Sequence, residues 1–194
     1  MTPKILISGA GIGGLVAALA LQQRGFTVEV YEQAPELLEL GAGVQISANG
    51  TRVLRALGLE PALAPSLCAA AGKEVRMWDT GQTWPLFDLG QDSIDRFGAP
   101  YWMLHRGDLH RVLADAVRAN DPGAIRLGHR GTGATQTGDK VTLHTSAGDA
   151  EGDVLIGADG VHSALRSTLF GSQQARFTGL MAWRGLARMD DLPD

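Results

Sequence analysis

The chain has 194 residues, 44% hydrophobic and 20% charged, a globular composition that excludes disorder along its whole length. Lys and Arg number 17 against 21 Asp and Glu, a net charge of −4; with no basic run, this argues against a nucleic-acid or anionic-membrane binder. Cys68, the only cysteine, rules out an intramolecular disulfide and fits a reducing compartment, so a cytoplasmic location is expected.

Lys4 to Ser8 is a nearly continuous apolar run, the pattern of a strand buried on both faces of a parallel sheet. Gly13 to Arg24 then has helical spacing through Leu15, Val16, Leu19 and Ala20, and Gly25 suits the residue after the helix. Thr27 to Tyr31 is the next strand, which makes the segment a strand–helix–strand crossover. The uncharged run Ile5 to Leu21 also has the look of a signal peptide or short membrane span. Ser8, Gly9, Gly11, Gly13 and Gly14 weaken it as an apolar helix.

Asn49 is placed to cap a short helix that ends at Gly58, and Glu60 to Lys73 reads as a loop or broken helix. Glu74 to Asp79 and Thr83 to Asp88 flank Thr80-Gly81-Gln82 as a hairpin. Tyr101 to Leu104 is a short strand. Asp108 to Ala119 is an amphipathic helix with Leu109, Val112, Leu113, Ala116 and Val117 on one face. Ala124 to His129, Thr132 to Gln136 and Lys140 to Thr145 predict a small antiparallel meander. Asp153 to Ile156 predicts a strand, Val161 to Leu169 a short helix, and Leu180 to Ala187 the start of another strand.

Three motifs carry chemistry. Gly9-Ala10-Gly11-Ile12-Gly13-Gly14 matches GxGxxG at Gly9, Gly11 and Gly14, between a predicted strand and helix. Glycine permits the tight turn, the approach of a pyrophosphate and close helix–strand packing, and the helix N-terminus attracts the diphosphate. By itself this is also a Gly-rich turn. Glu32, at the end of the second strand, stands where the fingerprint needs an acid for ribose hydroxyls. The second motif, His105-Arg106-Gly107-Asp108-Leu109, offers Arg106 to a phosphate or flavin oxygen. It reads equally as a surface ion pair of Arg106 with Asp108 at a helix entry. The third is Asp153-Val154-Leu155-Ile156-Gly157-Ala158-Asp159-Gly160 with Ser163 and Arg166. Asp-Gly alone signals a hairpin, but here a helix follows, and an Asp at the carboxyl end of a parallel strand lies where open α/β sheets bind ligands.

Taken in order, GAGIGG with Glu32, GAGVQISANG from Gly41 to Gly50, HRGDL and DVLIGADGVHSALR resemble the FAD-dependent aromatic-ring monooxygenases, the salicylate hydroxylase and 3-hydroxybenzoate 6-hydroxylase type. The resemblance runs from Lys4 to about Ala187. It implies an α/β, Rossmann-like FAD-binding fold with a small antiparallel meander and part of an interleaved substrate-binding sheet. It implies FAD as cofactor, NAD(P)H and O2 as co-substrates, and a phenolic or hydroxybenzoate-like aromatic as substrate. The diphosphate turn maps to Gly9, Gly11, Gly13 and Gly14, the ribose acid to Glu32, and the flavin side to Val44. Arg106 maps to the HRxDL arginine and Asp159 to the GADG aspartate near the diphosphate. The family's usual Ser-Pro-Asn is Ser47-Ala48-Asn49 here.

Family members have about twice this length, and their second flavin motif lies beyond Asp194. The chain therefore reads as an N-terminal half. Residues 1–71 and 104–176 are expected to form the FAD-binding domain, 72–103 an excursion into the substrate layer, and 177–194 the truncated start of the substrate domain. No general base is assigned. Two other readings stay open: an FAD-binding half-protein without catalysis of its own, completed by a second chain, and an NAD-binding dehydrogenase domain. The five histidines show no metal spacing. Trp78, Trp84, Trp102 and Trp183 are expected to pack rather than stack on substrate, and Arg184 reads as either a flavin-facing or a surface charge.

Overall fold

The apolar runs and glycine punctuation become twelve strands and six helices among the described residues of a computed structural model, which describes residues 2–37, 42–172 and 176–182. The first elements are β1 (Lys4–Ser8), α1 (Ile12–Gln22), β2 (Thr27–Tyr31), β3 (Gly43–Ile46), α2 (Ala48–Ala56) and α3 (Glu60–Leu63). There follow β4 (Cys68–Ala69), β5 (Gly72–Arg76), β6 (Thr83–Asp88), α4 (Gln91–Phe97), β7 (Trp102–His105) and α5 (Arg106–Asn120). The last are β8 (Ile125–Arg126), β9 (Gly131–Thr137), β10 (Lys140–Thr145), β11 (Gly148–Gly152), β12 (Val154–Gly157) and α6 (Ala164–Phe170).

The chain forms two compact units, residues 1–39 with 113–194 and residues 40–112. These boundaries follow packing, whereas the segments expected from the sequence were drawn by cofactor and substrate role.

The first unit is built on a four-stranded parallel sheet in the order β12-β1-β2-β8. β1 is internal, and Ile5, Leu6, Ile7 and Ser8 are all buried, which explains its unbroken apolar run. Leu15, Ala18 and Leu19 bury one side of α1. That helix has 11 residues, about half of what a membrane span needs. Among the described residues no helix is long and apolar enough to cross a membrane. A separate antiparallel sheet, β11-β10-β9, packs on the first through Leu6, Tyr31, Leu143, Ala150 and Leu165. Gly152 is required there, since a Cβ would lie 2.7 Å from Leu6 Cγ and 3.0 Å from the Lys4 carbonyl oxygen.

The meander therefore begins at Gly131 and ends at Gly152, one strand later than the sequence suggests. Ile125 and Arg126 instead pair with Val30 and Tyr31 in parallel. The apolar Ala124-Ile125 pair is equally compatible with either sheet, and tertiary pairing decides.

The second unit holds the antiparallel sheet β3-β7-β4 and the β5-β6 hairpin. Ser47, not Asn49, is the N-cap residue of α2, and its Oγ donates to Asn49 Oδ1 at 2.6 Å. Asp108 lies inside the first turn of α5 and accepts from Arg111 at 3.3 Å. Glu60 to Lys73 resolves into α3, a 3-10 turn at Ala64–Ser66, β4 and the start of β5. Trp102 is buried, with the Arg55 guanidinium 5.5 Å from its ring centroid. Trp78 and Trp84 contradict the packing expectation, being 93% and 43% exposed. Leu180 to Ala182 forms no strand; Trp183, Arg184 and the rest of that expected strand lie outside the described residues.

Candidate functional site

A cleft of about 250 Å³ opens in the first unit at the carboxyl ends of β1, β2 and β12, where parallel α/β sheets bind ligands. Ser8, Gly9, Gly11, Glu32, Asp159 and Gly160 are among the residues lining it. Two of the three motifs thus meet there, although more than a hundred residues separate Gly11 from Asp159.

The glycines do separate jobs. Gly9 has φ +104°, and a Cβ on it would lie 2.4 Å from the Ala158 carbonyl oxygen. A Cβ on Gly14 would lie 2.0 Å from the Gly9 carbonyl oxygen and 3.3 Å from the Ala158 Cβ. These two glycines let the β1–α1 turn press against the end of β12. Gly11 differs: a Cβ there meets nothing within 4 Å, so its lack of a side chain leaves open space at the N-cap of α1. Gly13 is exposed in the first helical turn and equally uncrowded.

α1 carries no side-chain cap and no acidic residue in its first turn. Its leading N–H groups and its positive dipole end are therefore left for an anion. An uncapped helix start beside a space that a Cβ would begin to fill suits a nucleotide diphosphate.

Glu32 follows β2 directly. Its Oε2 accepts from the Ala10 N–H at 2.7 Å, and its Oε1 accepts from the Ala34 N–H at 2.9 Å. The carboxylate thus fastens the glycine turn while keeping lone pairs for hydroxyl donors. Asp159 Oδ1 accepts from Ser163 Oγ at 2.6 Å and its Oδ2 from the Leu165 N–H at 3.2 Å. Ser163 Oγ in turn accepts from the Arg166 N–H at 2.9 Å. Asp159 therefore fixes the turn between β12 and α6 through the cap of α6.

Beneath the cleft, Tyr31 donates to Glu29, which also pairs with Lys4 at 3.0 Å. Burial pushes Glu29 up, but the bonds from Tyr31 and Lys4 and the charges of Lys4 and Arg126 outweigh it, and its pKa falls below 4.5. Burial first, and then the bond to Glu29, raises Tyr31 above its ordinary 10.0.

Val44 and Arg106 belong to the second unit. Val44 pairs with Leu104 across β3 and β7, and the Arg106 N–H donates to the Ala42 carbonyl oxygen at 3.1 Å. The cleft of the first unit includes neither.

Sequence reasoning missed the wall formed by His129, Arg130 and Gly131. The His129 N–H donates to the Glu32 carbonyl oxygen at 2.8 Å, and the Gly128 N–H to that of Ala34 at 3.0 Å. Pairing beyond β8 thus carries this segment alongside Glu32. The available signal was a basic pair between glycines, Gly128-His129-Arg130-Gly131, directly after a strand; reading that strand into the meander hid it. Among the described residues no group of His, Cys, Asp and Glu is arranged to hold a metal ion.

A sequence model of the family described as "FAD binding domain" matches residues 2–190. The chain is 41% identical to a 3-amino-4-hydroxybenzoate 2-monooxygenase of Streptomyces platensis over 192 residues, covering 98% of this chain and 48% of that one. It is 37% identical to a 3-hydroxybenzoate 6-hydroxylase of Polaromonas naphthalenivorans over 194 residues, with 98% and 48% covered. Among solved structures, Klebsiella pneumoniae HpxO complexed with FAD and uric acid matches at a TM-score of 0.74 and 30% identity, over 90% of this chain and 43% of that one. The chain thus spans about half the length of the curated relatives it matches. With the glycine turn, Glu32 and the GADG turn gathered in one cleft, and nearly the whole sequence matched, this chain belongs to the FAD binding domain family.

Proposed function

We propose that this chain is the nucleotide-holding part of a flavin monooxygenase that hydroxylates a phenolic or hydroxybenzoate-like ring, using NAD(P)H and O2 in the cytoplasm. The observation that carries the reading is the convergence of Gly9, Gly11, Glu32 and Asp159 on one cleft, in a chain resembling monooxygenases of hydroxylated benzoates. A plain NAD-binding domain has no use for the HRGDL and GADG segments in this order.

Bound FAD supplies the redox chemistry; the protein's own part is binding and orientation. The N–H groups at the start of α1 hold the diphosphate, with Gly11 leaving room for it. Glu32 takes ribose hydroxyls, and its charge repels a 2′-phosphate. Asp159 acts through the α6 cap, keeping the Ala158 carbonyl against Gly9 so that the cleft holds its shape. Val44 on β3 and Arg106 at the start of α5 are assigned to the flavin end. A second chain supplying further flavin and substrate contacts stays part of this proposal.

The test is a titration of the purified 194-residue chain with FAD, followed by flavin fluorescence and visible absorbance. Saturable binding is expected. A chain that is folded by circular dichroism yet leaves the flavin signals unchanged would overturn the assignment.

A further inference from the structure

We infer that Arg130 is the adenine-seating residue of the cleft, a further positioning group beside the glycine turn and Glu32; this rests on the FAD reading above. The cleft has an order. The start of α1 at Gly11 takes the diphosphate, and Glu32, at the end of the neighbouring strand, takes the ribose. In a nucleotide the base lies on the side of the ribose away from the phosphates. Continuing past Glu32 leads to Gln33 and to the His129–Gly131 wall, all of which line the same cleft.

Within that wall the side chains are not equivalent. His129 is committed elsewhere: its ring stands edge-on to Tyr31 at 5.6 Å, and its Nδ1 lies 2.8 Å from the Leu127 carbonyl oxygen. Gly131 packs on Ser8, where a Cβ would fall 2.6 Å from Oγ. The Arg130 backbone is pinned on both sides by Ser146, whose Oγ accepts from the Arg130 N–H at 3.1 Å and whose N–H donates to the Arg130 carbonyl oxygen at 2.9 Å. Its guanidinium, by contrast, makes no hydrogen bond or ion pair among the described residues. A fixed backbone thus carries an uncommitted planar cation to the cleft wall. A guanidinium stacks on the face of a flat aromatic ring, which a lysine ammonium does far less well. That chemistry matches adenine.

The experiment measures the Kd of FAD and of ADP by calorimetry for the wild-type chain, Arg130→Ala and Arg130→Lys, each first shown to be folded by far-UV circular dichroism. The exposed position of Arg130 favours intact folding of both variants. Arg130→Ala is expected to weaken both ligands about three- to fivefold, with Arg130→Lys recovering less than half of that loss. Unchanged affinity in Arg130→Ala overturns the inference while leaving the FAD reading intact. Full recovery in Arg130→Lys also overturns it, because a point charge on a phosphate would then suffice. A folded wild-type chain that binds neither FAD nor ADP overturns the FAD reading and this inference with it.

Discussion

Gly11 and Gly14 belong to one motif but should fail in different ways when substituted. A side chain at Gly14 collides with the backbone of Gly9, whereas one at Gly11 points into open space. Gly14→Ala is therefore expected to lower unfolding free energy by about 3 kcal/mol, read as a shifted urea midpoint. Gly11→Val should cost only about 1 kcal/mol, for a poorer residue at the helix cap, and yet abolish FAD binding. A folded Gly11→Val variant that still binds FAD like the wild type would mean that the cleft is not where the diphosphate goes. Glu32 shows how far a residue type can be read from sequence. Its position after a strand and a glycine turn points to ribose. Its bonds to Ala10 and Ala34 were invisible, because they depend on how the turn folds back over the end of β2. Removing Glu32 therefore loosens the turn as well as the ribose contact, and the glycine pair separates folding from binding more cleanly.

Among elements, the legible ones were those whose pattern comes from their own burial. β1 and β2 owe their apolar patterns to internal positions in the sheet, α1 owes its own to the one side it buries, and glycines follow the ends of α1 and α2. β8 was misread because two residues are too short to show a period, and its partner lies far away in sequence. The cap of α6 was also hidden, since Asp159 and Ser163 read as a nucleotide motif and serve as a helix start. Asp153 joins elements in a similar way: it accepts from the Lys140 ammonium and from the Lys4 N–H, both at 2.7 Å. Its pKa lies below 3.8, first because of the Lys140 hydrogen bond and then because of the Lys4 N–H. A carboxylate lowered on folding contributes stability above its unfolded value, and that stability is lost as pH falls through the folded one. The chain should therefore lose stability as pH drops from the ordinary Asp value near 3.8 downward. Asp153→Asn should flatten this acid limb in denaturant titrations while leaving Lys140 without its partner. An acid limb identical to that of the wild type would remove Asp153 from the account.

At the scale of the whole molecule, each unit leaves apolar surface uncovered. In the first, Phe170 at the end of α6 is 76% exposed, and the outer edge of β12 has no strand beside it among the described residues. In the second, the β5-β6 hairpin presents Phe87 at 61% exposure, with Trp78 and Trp84 also on its surface. Trp78 and Trp84 were expected to pack because aromatics dominate cores, but whether an aromatic is covered depends on partners that composition cannot reveal. Large aromatic groups in water and an unpaired parallel edge both favour association. The isolated 194-residue chain is expected to show a mass that rises with concentration in multi-angle light scattering. Polar replacement of the hairpin aromatics, Trp84→Ser with Phe87→Ser, should lower that slope, because it removes apolar area without touching the buried residues of either unit. If the slope persists in this double variant, the contact lies on the β12 edge or α6, and Phe170→Ser should then reduce it. A monodisperse monomer across the whole concentration range would show that these exposed aromatics do not drive association.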